Sequence, residues 1–154
     1  SNLVVLRTLS KAWGLAGARC GFLFADPAFC AILQRVRAPY PISSASIQVV
    51  EAVFTKDGER RMRRSVSDIL AQKENLLAAL KALPGVATIF PSGANFILFR
   101  VSDKERLLAA ARKAGLVLRD RSFDEGLGNC VRVTVGSAEE NRIASGCFKE
   151  ALSA

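Results

Sequence analysis

An α/β fold is predicted for this chain on three observations. Its second half alternates short β-branched and aromatic runs with helical patterns, and a long amphipathic stretch precedes that alternation. Glycine or proline punctuates most changes of pattern. Half of the 154 residues are hydrophobic, which is enough for the core of about one domain, or of one domain and a piece of another.

The elements follow in order. Leu3-Val4-Val5-Leu6 is a short apolar run and reads as a buried strand. Gly14 and Gly17 fall in the turn region after it, where backbones can approach closely. Residues 21–25 form the next strand, closed by Asp26-Pro27, a helix-start signal with proline in the first turn. That helix runs towards Arg37 and is broken by Pro39-Tyr40-Pro41, because neither proline has an N–H to donate. A second helix covers residues 43–54 and ends near Asp57-Gly58. A longer one is predicted over residues 59–83: Val66, Ile69, Leu70, Leu76, Leu77 and Leu80 recur at helical spacing, and Pro84-Gly85 stops it.

Beyond that point the pattern changes. Residues 86–90 and 96–101 read as strands separated by a Pro91-Ser92-Gly93 turn. A helix over 103–114 ends at Gly115, strands follow at 116–121 and 131–135, and a helix over 138–151 closes the chain. One antiparallel or mixed sheet with packed helices is the expected result. Three segments are therefore expected: residues 1–40 as the edge of a larger domain, 41–83 as connecting helices, and 84–154 as a small α/β domain.

Composition excludes several function classes. No apolar span reaches membrane length, and no signal-peptide pattern is present. The chain opens on Ser1 rather than methionine and enters an apolar run almost at once, which reads as a cut through a larger protein. Its net charge is +8, with the densest run at Arg60-Arg61-Met62-Arg63-Arg64. That run lacks interleaved aromatics for stacking bases, so it reads as a solvated helix face, with no nucleic-acid or membrane partner. Cys20, Cys30, Cys130 and Cys147 show no C-x-x-C spacing, and there is no histidine. Free thiols in a reduced, cytoplasmic protein are expected, with no metal site and no Ser-His-Asp or Cys-His mechanism within this chain.

The chemistry concentrates in Thr8-Leu9-Ser10-Lys11, with Arg19 eight residues further on. A lysine amine can condense with an aldehyde, while hydroxyls and a guanidinium can hold a phosphate dianion. Pyridoxal phosphate carries both groups. Taken singly, Thr8 and Ser10 read equally as local turn caps. Arg132 and Thr134 alternate with Val131, Val133 and Val135, so one face of that strand carries the guanidinium. This is either a wetted face or a binding one. Tyr40 lines a site or packs a rigid loop, and Asn95 orients a ligand or serves its turn.

The run Arg7 to Phe22 (RTLSKAWGLAGARCGF) resembles the cofactor-lysine segment of fold-type I, class-II pyridoxal-phosphate-dependent aminotransferases, and among them the histidinol-phosphate aminotransferases. The likeness continues, in the family's order, through Ala38-Pro39-Tyr40-Pro41, Gly93-Ala94-Asn95-Phe96, Leu118-Arg119-Asp120 and Val131-Arg132-Val133-Thr134-Val135-Gly136. It covers essentially the whole chain but only the C-terminal part of a family enzyme.

The resemblance implies a specific α/β architecture: the aminotransferase small domain plus the edge of the large cofactor-binding domain. It implies Lys11 as the catalytic and cofactor lysine, Thr8, Ser10 and Arg19 as phosphate ligands, and Arg119 and Arg132 as ligands of the substrate's anionic end. The implied substrates are histidinol phosphate and glutamate or 2-oxoglutarate, in a cytoplasmic homodimer of histidine biosynthesis. The residues that pair with the cofactor ring lie upstream in the family, so the isolated chain is expected to be inactive. An aromatic aminotransferase or a threonine-phosphate decarboxylase shares the lysine motif and is the neighbouring alternative. A non-catalytic anion-binding α/β module is the alternative of another class.

Overall fold

The computed structural model of the chain describes residues 2–153, which form two compact units that divide between Val66 and Ser67. In the first unit, β1 (Val5–Thr8) and β2 (Gly21–Phe24) pair as an antiparallel hairpin, with Val5 opposite Phe24 and Thr8 opposite Gly21. The ladder is extended by Leu9 N donating to Cys20 O at 3.2 Å. Leu9, Ala18 and Cys20 are buried together, with Trp13, Leu15 and Val50 packed against them. Trp13 also stacks on Phe54 with ring centroids 4.2 Å apart.

The strand expected at residues 3–6 is shifted and is not buried. It pairs over Val5–Thr8, and Leu6 is 69% exposed. A two-stranded ribbon has two faces and needs cover on at least one to bury its apolar side chains, which residues 1–66 do not supply here.

Helix α1 (Pro27–Val36) starts as its sequence dictates, with the Asp26 side chain accepting from Ala28 N at 3.0 Å and Pro27 in the first turn. Helix α2 (Ser44–Val53) is capped by Ser43, whose hydroxyl accepts from Ser46 N at 3.1 Å. Helix α3 (Lys56–Lys81) begins three residues before the expected start. Thr55 is the reason: its hydroxyl accepts from Gly58 N at 3.1 Å and its carbonyl from Glu59 N at 2.8 Å. Asp57-Gly58 therefore lies in the first turn of α3 and does not close α2. Gly58 is buried there, and a Cβ at that position would collide with the Val53 carbonyl oxygen.

The second unit holds the end of α3 and a four-stranded antiparallel sheet in the order β3-β4-β6-β5. The strands are β3 (Val86–Ile89), β4 (Phe96–Val101), β5 (Arg119–Asp120) and β6 (Cys130–Thr134). Helix α4 (Lys104–Lys113) connects β4 to β5, and α5 (Ala138–Leu152) follows β6. On β4 the odd-numbered residues Ile97, Phe99 and Val101 are buried, and the even-numbered ones are half-buried. One sheet face thus joins Leu76 and Leu80 of α3, Leu107 and Ala111 of α4, and Phe148 and Leu152 of α5 in a continuous core. The other face carries Phe96, Leu98, Arg100, Arg132 and Thr134.

Two expectations in this unit are corrected. The strand predicted over 116–121 pairs only at Arg119–Asp120, because Gly115 (φ 73°) turns the chain and Leu116 N returns to Ala111 O at 2.8 Å. Leu70, placed on the buried stripe of α3, is exposed. The stripe actually runs Ile69, Lys73, Leu76, Leu77 and Leu80, with a lysine in its middle. All four cysteines are free thiols.

Candidate active site

In the first unit, the hairpin end positions one group of predicted site residues. Thr8 is the last residue of β1, and the turn that follows is closed by Gly14 N donating to Lys11 O at 2.9 Å. Gly14 makes that turn at φ 68°, a conformation in which an L-residue is strained. Leu15 N then donates to Leu9 O at 3.0 Å, folding the loop back over buried Leu9. With Leu9 and Trp13 turned inwards, Lys11 is left exposed on the outside of the turn.

Thr8 Oγ1 donates to Ser10 Oγ at 2.8 Å and accepts from Ser10 N at 3.1 Å. The two hydroxyls are therefore adjacent as well as acting as a local turn cap. Arg19 adopts a left-handed conformation (φ 54°) after a 3₁₀ turn at Ala16–Ala18, and its guanidinium donates to Ala16 O at 3.2 Å. It lines a groove of about 480 Å³ together with Phe22, Leu23, Arg37 and Ile42. Arg7, Lys11 and Arg19 are accompanied by no acid in the first 25 residues. This donor set of two neighbouring hydroxyls, an exposed amine and guanidinium groups fits a phosphorylated aldehyde.

The second unit brings the other predicted pair together. Arg119 and Arg132 are directly opposite each other across β5 and β6. Side chains so paired share a face, and like charges there destabilise the sheet. Neither guanidinium belongs to an ion pair among the described residues. Arg132 lies over the Phe96 ring, 4.9 Å from its centroid. A third arginine, Arg100, is spent differently: it donates to Gly126 O at 2.6 Å and Gly128 O at 3.0 Å, anchoring the loop before β6.

The nearest carboxylate in sequence, Asp120, is also spent. It accepts from Ser122 Oγ at 2.6 Å, Ser122 N at 2.8 Å and Lys104 Nζ at 3.0 Å. These hydrogen bonds, those from Ser122 first, lower its pKa from 3.8 to about 2. Lys104 is raised in turn, chiefly by its bond to Asp120. Asp120 is thereby committed to Lys104, and the arginine pair remains open.

Asn95 is placed by its backbone, which accepts from Val135 N at 2.9 Å at the end of the 91–95 turn. Tyr40 is 94% exposed, so it does not pack its loop. Two residues escaped the sequence reading. Lys104 gave no motif signal. Lys73 did give one, since it stands four residues after Ile69 and three before Leu76 on an otherwise apolar stripe. The two arginine groups belong to different units, and each stands as described.

The α/β scaffold agrees with what comparison finds. The chain belongs to the aminotransferase class I and II family, which it matches over residues 1–146. Enzymes of this family depend on pyridoxal phosphate.

Histidinol-phosphate aminotransferase 2 of Mannheimia succiniciproducens is 38% identical over 139 residues, covering 90% of this chain and 40% of that protein. Among solved structures, histidinol-phosphate aminotransferase from Sinorhizobium meliloti in complex with pyridoxal-5'-phosphate has a TM-score of 0.79 at 21% identity. It matches 97% of this chain and 41% of its own. L-threonine-O-3-phosphate decarboxylase from Porphyromonas gingivalis has a TM-score of 0.71 at 24% identity, covering 97% of this chain and 46% of that one. At these identities the two structural matches speak to fold alone. The chain spans about 40% of the length of the curated relatives it matches.

Proposed function

We propose that this chain carries the cofactor lysine and the substrate-anion arginines of a pyridoxal-phosphate-dependent aminotransferase that uses histidinol phosphate and 2-oxoglutarate. The observation that carries the reading is the unneutralised Arg119–Arg132 pair, an arrangement that costs stability until an oxyanion is bound between its forks. Histidinol phosphate presents a phosphate ester where an amino acid presents its α-carboxylate, and glutamate presents carboxylates. Two guanidiniums can hold either anion through paired hydrogen bonds, so one site serves both half-reactions.

In this reading Thr8, Ser10 and Arg19 would hold the cofactor's phosphate, while Lys11 would engage its aldehyde and, as an amine, could carry a proton. The cofactor, when bound, supplies the electron sink. Arg132 and Arg119 orient the substrate by its anionic end, and Phe96 beneath Arg132 limits the directions in which that guanidinium can point. The remaining groups of the site would come from the rest of a longer chain and from a second subunit of a homodimer. A cytoplasmic location accords with the four free thiols.

The test is titration of the chain with pyridoxal phosphate, then borohydride reduction and peptide mass mapping. A stable label concentrated on Lys11 is expected. Label spread evenly over surface lysines would count against the assignment. For the longer protein, turnover of histidinol phosphate should exceed that of phenylalanine, and the reverse order would move the assignment to an aromatic aminotransferase.

A further inference from the structure

Lys73 is the only charged residue among the buried positions of the described residues, at 5% exposure. Lysine is almost never buried unless paired, because removing an ammonium from water costs several kcal/mol. This one has no carboxylate partner among the described residues. Its Nζ donates to Ser92 O and, at 2.8 Å, to Ala94 O. Both acceptors lie in the short loop that joins β3 to β4. The same loop is tied a second time by Ser92, whose hydroxyl donates to Phe96 O at 2.8 Å and accepts from Ala94 N at 3.2 Å.

Immediately after the clamped carbonyls come Asn95, which accepts from Val135 N at 2.9 Å, and Phe96, which stands opposite Thr134 in the ladder. The Phe96 ring lies under Arg132. An apolar side chain at position 73 would fill the stripe without the desolvation cost, but it would take from the Ser92 and Ala94 carbonyls the donor they share. What the ammonium adds is a fixed geometry for the first residues of β4.

We propose that Lys73 is a positioning residue: its ammonium holds the 91–95 turn so that Phe96 presents Arg132 to the substrate's anion. The inference rests on the anion-binding reading of Arg119 and Arg132. It assigns the role to a side chain that belongs to neither the cofactor turn nor the arginine pair.

The experiment is NMR of the whole 154-residue chain with inorganic phosphate as probe, comparing the native protein with Lys73→Met and Lys73→Arg. Methionine keeps the apolar stem and removes the donors, and arginine keeps them. Stacking over Phe96 should shift the Arg132 side-chain protons upfield. That shift is expected to collapse in Lys73→Met and to return in Lys73→Arg, while α4 and α5 amide resonances stay in place. Phosphate affinity at the arginine pair should fall about fivefold in the methionine variant and recover with arginine.

A folded Lys73→Met chain with the native Arg132 shift overturns the proposal, and so does failure of arginine to restore it. If methionine unfolds the chain, Lys73→Gln, a neutral donor, answers the same question. It should retain part of the shift, and complete loss or full retention would count against an ammonium clamp. Absence of phosphate binding by the native chain would sink the anion reading instead, and the Arg132 shift would still judge Lys73.

Discussion

The two units handle their apolar residues in opposite ways. In residues 67–154, sheet and helices share one core whose largest side chains, Phe99, Phe148, Leu76 and Leu80, are fully buried. In residues 1–66 the buried cluster is Leu9, Ala18 and Cys20, and neither α1 nor α2 contains a buried residue. Phe24 is 59% and Val36 76% exposed. Their charges differ in the same sense. The second unit commits Asp120 to Lys104 and Ser122, whereas the segment around Lys11 carries cations with no acid among its first 25 residues. Residues 67–154 thus gather most of their large apolar side chains into one core, with Val117 and Phe123 left outside it, whereas residues 1–66 display most of theirs beside cationic groups.

The largest effect should separate the units by mutation. Phe99→Ala empties a fully buried site that meets Phe148 at 5.7 Å between ring centroids, and it should cost about 3–5 kcal/mol in urea unfolding. Phe24→Ala removes a ring of similar size from an exposed strand and should change stability by less than about 0.5 kcal/mol. Equal losses at the two positions would break the contrast.

The same contrast explains what could be read from sequence. In the second unit, apolar strand runs such as Phe96 to Val101 and the stop at Pro84-Gly85 gave element types and near-correct ends, because both faces of these strands meet neighbouring parts of the same unit. Leu3-Val4-Val5-Leu6 has the same apolar character, yet pairing begins at Val5 and Leu6 faces outwards. An apolar run announces that burial is needed and leaves open which segment supplies it. The start of α3 depended on the Thr55 side chain reaching Gly58 N, a cap masked by the Asp57-Gly58 turn signal. Of the site, Lys11, Arg19 and Arg132 were visible as motif residues. The facing of Arg119 by Arg132 and the burial of Lys73 depend on pairing between segments far apart in sequence.

A smaller effect sharpens the electrostatic half of the comparison. Replacing Arg119 by Gln removes one of two like charges facing each other across the ladder, so stability should be unchanged or should rise by up to about 0.5 kcal/mol. Phosphate binding to Arg132 in the same variant should weaken by about tenfold, read from site-resolved NMR titration at fixed salt. A structural arginine behaves otherwise: Arg100→Gln releases the Gly126 and Gly128 carbonyls and should destabilise the unit while leaving phosphate affinity in the same range. If Arg119→Gln destabilises as Arg100→Gln does, the pair is serving the fold.

The smallest effect is a pH dependence confined to the second unit. Asp120 has its pKa lowered from 3.8 to about 2 by Ser122 and Lys104, so the folded state favours its ionised form. A depressed carboxylate contributes stability that is fully present above the unfolded value and is lost as pH falls through the folded one. The native chain should therefore exceed Asp120→Asn in stability near neutral pH, and the gap should close between about pH 4 and about pH 2. Monitoring hydrogen exchange at the Val131 amide, directly opposite Asp120, against that of Leu9 assigns the change to a unit. Loss of protection at Val131 with Leu9 unaffected fits two units that unfold separately. Parallel loss at both would mean that the first unit draws its stability from the second, and the contrast drawn from burial would not hold in solution.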